Sequence, residues 1–122
     1  MKFITSFKYA FNGIKLAICS ERNFKIECTL GLLSILLSVL LKLNAIEWIA
    51  ILLSNAIVLS LELINTAMEK ICDFINPGIH PQIKNIKDIS AGAVLVASIA
   101  SMAIGFIIFF PKIIVLLKSI QL

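Results

Sequence analysis

Four polar residues interrupt an otherwise apolar stretch of this chain at helical intervals: Glu62, Asn65, Glu69 and Asp73. At about 100° per residue they fall within one narrow arc of a helix, so a single face carries three carboxylates and an amide. Carboxylates inside an apolar helix are costly in lipid, and such a stripe must face something other than hydrocarbon. A carboxylate can accept a proton. Carboxylate and amide oxygens near a membrane surface also suit a hard cation such as Mg²⁺, which favours few carboxylates together with substrate phosphates. Glu21, ahead of one apolar run, and Asp88, ahead of another, could close such a site, and Lys87 offers a point charge to a phosphate. The competing reading is a structural stripe of ion pairs answering Arg22, Lys25 or Lys87. Neither GxxxxGK[ST] nor GxGxxG occurs, so a conventional nucleotide-binding fold is not expected.

The elements that carry these residues follow from composition. The chain has 122 residues, 60% of them hydrophobic and 15% charged. A soluble domain of this length has too little interior to bury that much apolar surface, so the expected solvent is a bilayer. The same composition excludes disorder. The net charge of +4 is not gathered in a patch of the kind that binds nucleic acid, and no nucleic-acid partner is expected. Lys2, Lys8, Lys15, Arg22 and Lys25 precede the first long apolar run, and Lys70, Lys84 and Lys87 lie between the later two. That is where the cytoplasmic flanks of membrane spans carry charge. The three cysteines, Cys19, Cys28 and Cys72, have neither disulfide nor zinc spacing and read as buried thiols. Lys8 and Lys15 interrupt any signal-peptide core, so no cleavable leader is expected.

The pattern predicts an all-α membrane protein forming one unit over residues 1–122: a surface helix over about 3–19 and spans over about 24–43, 46–74 and 88–110. In the first, Phe3, Phe7, Phe11, Ile14 and Ile18 recur at steps of four and three opposite Lys8, Asn12 and Lys15. This is the signature of a basic amphipathic helix on a membrane surface. Lys42 can snorkel from the end of the first span, and Trp48 is placed as an interface anchor for the second. Asn76-Pro77-Gly78 is the expected stop of the second. Along the third, Ala93, Ala97, Ser101 and Gly105 form a stripe of small residues that lets another helix approach. Eight basic residues flank one side of the spans and three the other. This predicts a multi-pass protein of the bacterial cytoplasmic membrane with the N-terminus and the loop around residues 76–87 inside and the C-terminus outside.

Leu61-Glu62-Leu63-Ile64-Asn65-Thr66-Ala67-Met68-Glu69, then Asp73, His80-Pro81 and Lys87-Asp88-Ile89-Ser90-Ala91-Gly92-Ala93-Val94-Leu95, resembles the signature of the bacterial integral-membrane diacylglycerol kinases, a family that includes undecaprenol kinases. The resemblance extends to Tyr9, Gly13 and Glu21-Arg22-Asn23 and so covers most of the chain in order. It implies a homotrimer of three-span subunits that transfers the γ-phosphoryl group of ATP, with Mg²⁺, to the hydroxyl of a membrane lipid. It further implies that Glu62 is the general base with Asn65 as a polar partner, that Glu69 and Glu21 are metal ligands, and that Tyr9, Gly13, Asp73, His80, Lys87 and Asp88 lie on the nucleotide side. Depth agrees with this division. Glu62 lies about two helical turns farther from the cytoplasm than Glu69, nearer to where a lipid hydroxyl would enter.

The acceptor implied is undecaprenol or diacylglycerol, with the Asn65-Thr66 pair and the Ser90-Ala91-Gly92-Ala93 run leaning toward undecaprenol. A different class also places a carboxylate in a membrane: a small oligomeric proton-coupled transporter in which Glu62 binds and releases protons. It leaves Asp73 and Lys87-Asp88 without a role. Glu27 reads either as a further site ligand or as the partner of a neighbouring lysine.

Overall fold

The computed structural model describes residues 2–121. Four helices account for nearly all of them: α1 (Lys2–Ser20), α2 (Arg22–Leu40), α3 (Ala45–Ile75) and α4 (Pro81–Ile120). The last three are long and apolar enough to cross a membrane. With a rise of 1.5 Å per residue, α2 spans about 28 Å, close to the hydrocarbon thickness, whereas α3 and α4 run to roughly 46 and 60 Å.

The helix boundaries have local causes. Asn44 opens α3 with a reciprocal capping box: the Glu47 amide donates to Asn44 Oδ1 at 3.0 Å and the Asn44 amide donates to Glu47 Oε2 at 2.9 Å. His80 caps α4, its Nδ1 accepting from the Gln82 amide at 3.2 Å, with Pro81 at the first helical position. At the end of α2 the Leu43 amide donates to the Ser38 carbonyl and the Lys42 amide to the Val39 carbonyl, both at 3.2 Å. These two bonds are a Schellman motif, which turns the chain back within four residues. Its left-handed position, normally glycine, is occupied by Lys42 at φ 52°.

α3 is the hub. α2 and α4 both pack along it and hardly touch each other, and α1 rests lightly on α2 and α3. Ile51, Ser54, Val58, Glu62 and Thr66, at steps of three and four, are the buried stripe of α3. Asn55 ties it to α2, its Nδ2 donating to Ser34 Oγ at 2.8 Å. Elsewhere large apolar side chains stay on the outside, as expected where lipid is the solvent; on α4 the buried residue is Val94 alone among those described. The small-residue stripe is only partly used against α3: Ala97, Ser101 and Gly105 are half-buried and Ala93 is exposed.

α1 is amphipathic as expected, and its Phe3, Phe7 and Phe11 are uncovered by the rest of the chain, leaving that face to a membrane surface. α4 departs from the expected span. It starts at Pro81 rather than near residue 88 and continues through Pro111 to Ile120 instead of ending at 110. A proline inside a helix removes one backbone bond, at about 3 kcal/mol. In an apolar surrounding the alternative is worse, because an unwound backbone would strand many polar groups, and Ile113–Leu117 keep the following turns apolar. Lys112 adds a tie across the helices, its Nζ lying 3.1 Å from Glu47 Oε2.

Candidate active site

Where α2 and α4 part over α3, a cavity of about 370 Å³ opens. Glu62, Asn65 and Glu69 line it from α3, Glu27 and Asn23 from α2, and Ala91 and Ser98 from α4. Glu62 is buried, 6% exposed, although it is a carboxylate in the middle of an apolar helix. Glu27 and Glu69 line the same cavity, and Glu21 stands at the N-cap of α2. Among the described residues none of these four carboxylates has an ion-paired lysine or arginine.

The stripe therefore divides. Its end nearest the α3–α4 connection answers the ion-pair reading, since Lys87 Nζ donates to Asp73 Oδ1 at 2.5 Å. Its deeper part does not. There Asn65 Nδ2 approaches Glu69 Oε1 at 3.4 Å, while Asn65 Oδ1 is buried and, among the described residues, has no hydrogen-bond partner. A buried amide oxygen without a donor is expensive, and here it lies beside unpaired carboxylates. Hard oxygen donors with surplus negative charge and an orphaned acceptor fit a cation such as Mg²⁺. No three His, Cys, Asp or Glu residues among those described converge closely enough to form a cage by themselves.

The remaining expected residues lie around this centre. Glu21 stands at the junction of α1 and α2, where Ser20 Oγ donates to its Oε1 at 3.4 Å; it is not among the residues lining the cavity. Asp88 pairs with Lys84 at 2.6 Å, one turn away on α4. Tyr9 is exposed on α1. Gly13 lines a separate cavity of about 310 Å³ with Thr66 and Lys70, between α1 and α3. A Cβ at Gly13 would meet nothing within 4 Å, so packing does not require glycine there. His80 is engaged as the α4 cap.

Of the two readings open for Glu27, the packing favours a site residue, and it adds Ser98, which the sequence reading did not single out. Glu27 lines both this cavity and an adjoining one of about 230 Å³, and Ser98 does the same from α4. The second cavity continues deeper along α3 past Gly31, Ser34, Asn55 and Ser101. The two together make a trough between α2 and α4 that leads from the carboxylates into the membrane-spanning part of the molecule. Ser98 lies one turn beyond Val94 on the face toward α3, and only that packing identifies it.

Residues 8–109 match the family model described as prokaryotic diacylglycerol kinase. Among curated proteins the chain is 40% identical over 111 residues to an undecaprenol kinase of Bacillus subtilis, covering 91% of this chain and 90% of that protein. It is 36% identical over 115 residues to a diacylglycerol kinase of Synechocystis sp., covering 93% of this chain and 66% of that protein. To a diacylglycerol kinase of Haemophilus influenzae it is 35% identical over 108 residues, 88% of this chain and 92% of that protein. With most of its length matched, and the stripe, the basic residues and the three apolar helices in one arrangement, the chain belongs to the prokaryotic diacylglycerol kinase family.

Proposed function

We propose that this protein is a lipid kinase of the bacterial membrane that moves the γ-phosphoryl group of ATP to the hydroxyl of a membrane lipid. The observation that carries the reading is Glu62, a buried carboxylate at the end of a trough that an acceptor can enter from the bilayer, with Glu69 two turns nearer the cytoplasmic flank. Glu62 takes the hydroxyl proton as the oxygen bonds to the γ-phosphorus, the bond from phosphorus to the β-bridging oxygen breaks, and ADP leaves. Asn65 holds Glu69 and presents its free oxygen to the same space. Lys87, on its release from Asp73, is the cation for the phosphates. When bound, Mg²⁺ would neutralise phosphate charge, and Glu69 with Glu21 would hold it.

The further assignments follow from this reading. Asp73, Asp88, His80, Tyr9 and Gly13 flank the nucleotide, the N-terminus and the α3–α4 connection are cytoplasmic, and the chain of 122 residues acts as one unit in a homotrimer. The trimer is supported by α4, whose apolar surface its own chain leaves almost uncovered. The acceptor is undecaprenol or diacylglycerol. The 40% identity to an undecaprenol kinase supports the first.

The experiment is phosphorylation of each lipid by γ-labelled ATP, with and without Mg²⁺, by the full chain reconstituted in vesicles. Labelled lipid phosphate that depends on both Mg²⁺ and Glu62 is expected. Proton flux without labelled lipid would instead support a transporter built on the same carboxylate.

A further inference from the structure

A cavity of about 610 Å³ lies at the other end of the helices, between the α2–α3 turn and α4 around Pro111. It has no part in the phosphoryl-transfer site: the rise from Glu47, on its rim, to Glu62 is roughly 22 Å along α3. Its walls are apolar, with Leu40, Ile107 and Ile108 on the membrane side, and its polar lining is Lys42, Glu47 and Lys112. The volume is in the range of sites that hold small ligands.

Three observations say what it holds. First, Lys42 occupies the left-handed position of the Schellman turn at φ 52°, where glycine is favoured and a side chain costs about 1–2 kcal/mol. The turn would be more stable without it. Second, the charges do not cancel. Lys112 is paired with Glu47, which is also committed to the α3 cap, and Lys42 makes no ion pair among the described residues. The rim therefore keeps one uncompensated positive charge beside the second ammonium. Third, Pro111 has no amide hydrogen to donate, so the carbonyl of Ile107, a residue that lines the cavity, lacks its usual helical donor.

We propose that this cavity binds an anionic phospholipid of the surrounding leaflet. The phosphodiester sits between Lys42 and Lys112, a hydroxylated headgroup such as that of phosphatidylglycerol donates to the Ile107 carbonyl, and an acyl chain lies along Leu40, Ile107 and Ile108. A zwitterionic lipid brings its own cation and gains nothing from the uncompensated charge. One lysine near the surface favours an anionic over a zwitterionic lipid about fivefold.

Trp48 is the sole tryptophan of the chain and follows Glu47 directly, so it reports on this end of the molecule. The full chain is reconstituted in phosphatidylcholine vesicles, and Trp48 fluorescence is titrated with brominated phosphatidylglycerol or brominated phosphatidylcholine at equal mole fractions. The expected result is tighter quenching by the glycerol lipid, about fivefold in relative affinity, and a preference that weakens with salt. Lys42→Gly should abolish the preference while raising thermal stability, because it removes the charge and the left-handed strain together. Lys42→Arg should keep the preference. Equal quenching by the two lipids, as when a second copy of the chain covers the groove, would overturn the proposal, and so would a preference that survives Lys42→Gly.

Discussion

Lys87 on α4 donates to Asp73 on α3 at 2.5 Å, and this pair marks where the acidic stripe of α3 stops being balanced. One turn deeper Glu69 has no ion-paired lysine or arginine among the described residues, and Glu62 beyond it is buried and shares a cavity with Glu69 and Glu27. The pair joins α3 to α4 near the connection between them, and in the proposed reaction a nucleotide phosphate competes with Asp73 for the Lys87 cation.

Lys87→Ala should therefore raise the KM for ATP by roughly tenfold, with a smaller effect on kcat, since a phosphate contact is lost. Because the pair is solvent-accessible, the melting temperature should move little. Steady-state kinetics and a thermal melt on one preparation check both. A KM left unchanged would return Lys87 to a purely structural role.

Glu62→Gln keeps the side-chain shape but cannot take the hydroxyl proton. Its kcat should fall by about 10² to 10⁴-fold while ATP affinity and oligomeric state are preserved. Turnover and nucleotide binding measured on the same sample separate the outcomes. Lost affinity with kcat intact would make Glu62 a binding residue.

Glu69→Gln removes one charge beside the orphaned Asn65 oxygen. The Mg²⁺ concentration for half-maximal activity should rise by about tenfold or more. Titration of activity with Mg²⁺ at saturating ATP reads this directly, and an unaltered curve would exclude Glu69 as a ligand.

Asn55→Ala breaks the hydrogen bond to Ser34 that joins α3 to α2 within their apolar lengths. Polar contacts between membrane helices average about 0.6 kcal/mol, so the variant should unfold only slightly more easily. The trough beside it should widen, and discrimination between lipid acceptors should change more than stability does. Unfolding in mixed micelles together with relative turnover of the two acceptors tests this.

If the assembly is a trimer with sites completed across subunits, mixing Glu62→Gln and Lys87→Ala chains before assembly should restore, at ATP concentrations well below the raised KM of the Lys87→Ala variant, part of the activity that each lacks there. Native mass measurement should show three copies. An active monomer would reject both statements.

Much of this was legible in the sequence for a physical reason. Helix period and apolar length are local properties, so the amphipathic α1, the three long apolar helices and the common face of Glu62, Asn65, Glu69 and Asp73 could be read from spacing. Caps and turns are local too, and Asn76-Pro77-Gly78 ends α3 where expected. Which charges find partners depends on which helix lies opposite, and that is not local. Only the packing of α4 on α3 joined Lys87 to Asp73 and, among the described residues, left Glu62 and Glu69 without an ion pair. The packing of α2 and α4 on α3 brought Ser98 to the site beside Glu27, tied Lys112 to Glu47, and set Lys42 at the rim of a second cavity. Sequence alone determined what each helix is and which face it carries. Tertiary structure decided which faces meet, because a membrane helix satisfies its own backbone but its polar side chains need partners that another helix supplies.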